Sequence, residues 1–168
     1  MQQLDANNIQ LSGRVEGNFY PSEQAEILRN VILKSPFEIN GGIFANNLKN
    51  LGSGIVFGLV LVTSEITISP PLFGQSPVKF LSGINATNSI AIIESSNLVK
   101  ETVVSNLNQA SIIVQGDVIS DSIKLNNALV LGNVRAREAS IVNSVIVGSI
   151  FTEETLKIEN SLFMALSD

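Results

Sequence analysis

A chain of 168 residues and 18.0 kDa has the size of one domain, which leaves no room for separate cofactor and substrate halves. Hydrophobic residues make up 45% and charged residues 15%, with a mean hydropathy of +0.32, so a large core can form, and with aromatics at 5% that core must be aliphatic. The net charge of −5 and pI near 4.7 argue against a phosphate-backbone partner, which would draw on clustered Lys and Arg.

There is no His and no Cys. This removes imidazole bases, Ser-His-Asp triads, Cys nucleophiles, thiolate zinc sites and disulfides together. Met1 to Asn8 lacks the basic start and apolar run of a secretory signal, so the expected location is the cytoplasm. The most apolar run, 54–62, is far below the roughly 20 residues of a membrane-spanning helix.

In chain order, residues 1–10 form a short N-terminal segment and the remainder of 1–168 one repetitive domain. An apolar-x-Gly-x-apolar motif occurs six times, on Gly17, Gly41, Gly58, Gly116, Gly132 and Gly148. Ser22 to Arg29 has the pattern of a helical turn capped by Ser22. Ser69 to Pro77 is rich in Pro and Gly and must leave any ladder, so 69–88 is predicted to be a lateral loop. The stretch 94–109 fits the repeat poorly, with Glu94 or a neighbour at its glycine position.

The last three glycines are 16 residues apart, and Gly41 to Gly58 is 17. Propagated at 16, the register puts Ile112, Ala128 and Ser144 in one column. Val114, Val130, Ile146 and Leu162 make the next; Val118, Val134, Ile150 and Leu166 make a third. Ser120, Ala136 and Thr152 form a small-residue column. Ile123/Leu125, Ala139/Ile141 and, after a slip of one, Leu156/Ile158 form a further apolar set. Alternation at period two, broken by turns, predicts two or three short strands per unit. Units of 16–17 residues predict an all-β, single-domain parallel β-solenoid whose inward columns become ladders. An ordinary sandwich with glycines at its turns is the alternative, but it has no reason to keep this register.

Residues beside the inward columns point outward. Ile113, Leu129 and Val145 form one such column; Gln115, Leu131, Val147 and Phe163 form the next. An outward apolar strip marks a contact surface. Three readings stand: a lateral interface on Ile113, Leu129, Leu131, Val145 and Val147, cover in cis by Leu72, Phe73 and Phe80 of the 69–88 loop, or a register displaced by one. Asp117, Asn133 and Ser149 form a polar outward column. The carboxylates of Asp117, Asp121, Glu153 and Glu154 read as solvated charge. No Asp-rich cation loop or Gly-Lys-Ser/Thr phosphate loop is present, so neither metal nor cofactor is expected and the chain reads as non-enzymatic.

The segments Val114-Gln-Gly-Asp-Val118, Val130-Leu-Gly-Asn-Val134-Arg-Ala136 and Ile146-Val-Gly-Ser-Ile150 resemble the bactofilins, polymer-forming cytoskeletal proteins, most clearly over 110–166. The resemblance implies a right-handed parallel β-helix whose ends stack into filaments without nucleotide. The disordered, basic or Pro-rich tails of typical members, and their short membrane-binding segment, have no counterpart in Met1 to Asn8. The C-terminal coil carries Leu162, Phe163, Met164 and Leu166 with few charges, which predicts self-association there, into a dimer or filament serving as a scaffold. The alternative is a module holding a protein partner on its outward strip and lateral loop.

Overall fold

The computed structural model describes residues 1–20, 28–69, 76–92 and 103–165. The strands in chain order are β1 (Gln2–Gln3), β2 (Asn8–Glu16), β3 (Asn30–Asn40), β4 (Ile43–Ala45), β5 (Leu48–Asn50), β6 (Gly54–Val56), β7 (Val60–Val62), β8 (Glu65–Ile68), β9 (Val78–Phe80) and β10 (Ile84–Ala86). They continue as β11 (Ser89–Ile92), β12 (Ile112–Val114), β13 (Val118–Ile119), β14 (Ser122–Asn126), β15 (Ala128–Val130), β16 (Val134–Val142), β17 (Val145–Val147), β18 (Ile150–Glu159) and β19 (Leu162–Met164). A single 3₁₀ turn, Leu107–Gln109, is the one helical element among the described residues. No helix among them is long and apolar enough to cross a membrane.

Each strand pairs in parallel with the strand one coil away, and the coils stack as a three-faced β-solenoid. One face runs β5–β8–β11–β14–β16–β18, a second β6–β9–β12–β15–β17–β19, and a third β4–β7–β10–β13–β16–β18. The long strands β2, β3, β16 and β18 turn a corner and serve two faces. The first coil is the exception at its outer edge: β1 lies antiparallel on β2, with Gln2 opposite Gln10 and Gln3 opposite Ile9.

The strands are short because the triangular lumen has room for about two inward side chains per face. Alternation supplies them: Ile112, Val114, Ala128 and Val130 are buried, while Ile113 and Leu129 between them point out. The lumen is a continuous aliphatic core, relieved by the buried rings of Phe37 and Phe80. β-Branched residues suit it because their stiff χ1 and compact shape stack in register from coil to coil.

The 16-residue register is observed as Ile112↔Ala128, Val114↔Val130 and Val118↔Val134. It also lengthens where the chain leaves the ladder, since Gly54 pairs with Val78 and Val78 with Ile112. The excursion predicted over 69–88 is therefore narrower than those bounds. The ladder resumes at Val78, and Phe80 is fully buried in the lumen as the partner of Val56 and Val114. Leu72, Phe73, Glu94 and the predicted turn beginning at Ser22 lie outside the described residues.

That coil also has its own version of the repeat, Phe80-Leu-Ser-Gly-Ile84, with Ser82 where other coils carry glycine. The glycines stack at the corner between the second and third faces. A methyl group on Gly132 would meet the backbone carbonyl of Gly116, and one on Gly58 the backbone of Gly41 and Gly42. Close backbone approach at the corner, not crowding of the lumen, is what leaves no room for a side chain at Gly58 and Gly132. Gly17 differs: nothing crowds it, and its φ of +79° is what favours glycine.

A second corner is built from asparagines. Asn127, Asn143 and Asn160 take left-handed φ values of 52°, 49° and 43°, a conformation Asn tolerates better than other side chains. The Asn160 side chain donates to Asn143 Oδ1 at 2.7 Å. Asp117 and Asn133, expected to be merely solvated, form another such ladder. Asp117 Oδ1 accepts from the Asn133 backbone N–H at 2.8 Å, and Asn133 Oδ1 accepts from the Ser149 N–H at 3.1 Å. These polar corners turn the chain while satisfying backbone donors that the bends would otherwise strand.

Candidate functional site: the exposed C-terminal coil

The inward columns end abruptly at the last described coil. Leu156 pairs with Ala139 and Ile158 with Ile141. Ala139 and Ile141 are buried, whereas Leu156 is 42% and Ile158 46% exposed. At the other end of the solenoid, Ile9 and Leu11 in the equivalent face are buried. On this face the two ends are unlike: one has Ile9 and Leu11 buried and β1 paired on its edge at Ile9 and Gln10, the other presents Leu156 and Ile158 to water, whereas Val15 and Phe19 of the first coil are partly buried like Ile150 and Phe163 of the last.

The slip of one residue between the last two coils is located. Ala136 pairs with Thr152, but Glu138 pairs with Thr155, a bulge on β18 at Glu153 and Glu154. It carries through to β19, where Val145 pairs with Leu162 and Ile146 with Phe163. This corrects the expectation that Leu162 continues the inward column and Phe163 the outward one. The uncorrected 16-residue spacing misplaces both. Phe163 is half-buried against the core, while Leu162 (44% exposed) and Met164 (40%) stand at the rim. Leu166 lies outside the described residues.

The outward apolar strip is covered in cis, by a segment that sequence reasoning did not assign. Val103 and Ala110 bury Val145 completely, and Ile113, Leu129 and Val147 pack partly buried around them. Among the described residues the covering chain is the stretch preceding β12; Phe80 lies in the lumen instead, and Leu72 and Phe73 lie outside the described residues. Leu131 remains 41% exposed outside this cover, as do Phe57 and Leu59 on their own coil. Of the expected lateral interface, Val145 is thus taken up by an intramolecular contact, with Ile113, Leu129 and Val147 partly buried beside it.

The third face carries a shallow groove of about 480 Å³ across its late coils, lined by Asn85, Ile119, Arg135, Phe151 and Thr152 among others. The Arg135 guanidinium sits 4.9 Å from the Phe151 ring centroid. Beside it, Arg137 grips Asp121 through two bonds of 3.0 and 3.1 Å and reaches Glu154 at 2.7 Å and Glu138 at 2.9 Å. The bulge at 153–154 places Glu154 within that reach. The guanidinium holds the Asp121 carboxyl below the usual carboxylate range, and the carboxylates in turn raise the Arg137 pKa. These acids tie coils together as structural partners. Among the described residues no group of three or more Asp or Glu side chains could hold a metal ion.

The chain matches no family model, no curated protein and no solved structure.

Proposed function

We propose that this protein is a non-enzymatic structural element that associates with itself end to end through its C-terminal coil, acting as a scaffold in the cytoplasm. The observation that carries this reading is the exposure of Leu156 and Ile158, core side chains in ladder with the buried Ala139 and Ile141. An uncovered solenoid end combines apolar side chains with an unpaired strand edge, the two features that invite another chain. The resemblance of the glycine-punctuated coils to bactofilins supports the same reading. The binding-module alternative has less apolar surface to draw on where Val103 and Ala110 cover Val145.

The test is light scattering and negative-stain microscopy across protein concentration and salt. Association through apolar ends persists at salt concentrations that screen surface charge. A monomer at every concentration and salt overturns the proposal.

A further inference from the structure

Resting on that reading, we infer that the contact is a closed two-fold dimer in which residues 157–159, the end of β18, pair antiparallel with the same segment of a second copy. Ile158 faces Ile158 across the axis, and Lys157 of each copy faces Glu159 of the other.

The backbone sets which residues can pair. The Glu159 carbonyl accepts from the Asn143 N–H at 3.0 Å, so the polar groups of Glu159 turn toward the preceding coil. Alternation then turns those of Leu156 and Ile158 toward the open edge. A patch that meets its own copy does so about a two-fold axis. A strand edge crossing such an axis perpendicular to the solenoid reverses direction, so the junction is antiparallel.

Side chains then select the register. Directly opposed residues share a face of the sheet, so inward residues must oppose inward ones, leaving axes through residue 156, 157 or 158. An axis through Leu156 sets Glu154, already held by Arg137, against the inward Ile158, and Glu153 against Glu159. An axis through Lys157 sets two lysines directly opposite each other, a destabilising pair. An axis through Ile158 makes a hydrogen-bonded isoleucine pair flanked by two Lys157–Glu159 pairs of opposite charge. Lys157 and Glu159, 68% and 63% exposed, pair with each other at 3.9 Å along their own strand, and the junction exchanges that weak surface ion pair for two between copies. Assembly stops at two because the opposite end has the Ile9–Gln10 edge of β2 paired by β1 and its Ile9 and Leu11 buried.

The experiment measures dimer dissociation of the whole chain by sedimentation for Lys157→Glu, Glu159→Lys and an equimolar mixture of the two. Each variant alone opposes like charges twice and should dimerise roughly tenfold more weakly than the parent chain. The mixture restores complementary pairs, so heterodimers should form with near-parental strength, which also shows that both variants fold. Variants as strongly dimeric as the parent, or a mixture no tighter than its components, overturn the register while leaving end-to-end association standing. Filaments of the parent chain overturn closure at two. A parent chain that never associates overturns the end-to-end reading itself.

Discussion

Ile158 lies directly beside Ile141 in the parallel ladder, yet Ile141 is fully buried and Ile158 is 46% exposed. The same side chain in the same column meets two environments because only one of them has a coil above it. Burial in a solenoid is a property of stacking, and the last coil keeps the composition of an interior coil.

The pair gives a direct experiment. Ile158→Ser removes a side chain that is still half in water and should lower the folding stability of the monomer by less than about 1 kcal/mol. Ile141→Ser leaves a cavity and an unpaired hydroxyl in the lumen and should cost about 3–4 kcal/mol. Denaturant unfolding separates the two. Only Ile158→Ser should weaken self-association while the monomer remains folded.

Gly132→Ala should lower the unfolding free energy by about 1–3 kcal/mol, because the added methyl meets the Gly116 carbonyl and the coils must move apart. Gly17→Ala is expected to cost about 1 kcal/mol for a different reason, the left-handed φ of +79°. Thermal melts of both variants check the ranking. Equal effects would mean that corner packing contributes nothing.

Val103→Asp should release the segment that covers the second face, since a carboxylate cannot sit against Val145, Ile113 and Leu129 without a partner. Amides of residues 103–110 should then exchange with solvent faster, and the uncovered strip should bind an apolar dye. Protection equal to that of the parent chain would show that other contacts hold the segment.

Among the described residues, three carboxyls have lowered folded-state pKa values, and the pH response follows from them. Asp5 is lowered mainly by the Asn8 side chain, Glu16 mainly by Asn40 and Asp121 mainly by Arg137. A lowered folded value means the stabilisation is complete above the ordinary carboxylate pKa and is lost as pH falls through the depressed one. Stability should therefore be flat near neutrality and decline below about pH 4. Asp121→Asn should reduce that acid decline and lower stability at pH 7, which melts at both pH values would reveal.

Much of the fold was legible from the order of residues because a solenoid repeats a local rule. Six apolar-x-Gly-x-apolar motifs and a 16-residue interval suffice to infer parallel coils, and the paired columns Val114↔Val130 and Val118↔Val134 are those the spacing predicts. The coil at Phe80-Leu-Ser-Gly-Ile84 was missed because Ser82 stands at the glycine position, which left the loop boundary too wide. The asparagine corners left a readable signal in Asn127, Asn143 and Asn160, one per coil, that spacing alone would have found.

Composition and periodicity by themselves determined that this is an all-β solenoid with an aliphatic lumen, since period-two alternation and a constant interval are properties of adjacent residues. Tertiary structure alone decided three things. It carried the slip already legible at Leu156 and Ile158 on into β19, exchanging the roles of Leu162 and Phe163, laid Val103 and Ala110 over Val145, and left Leu156 and Ile158 uncovered. Each depends on which segments meet across many residues of intervening chain, and no local pattern records whether a column has a neighbour above it.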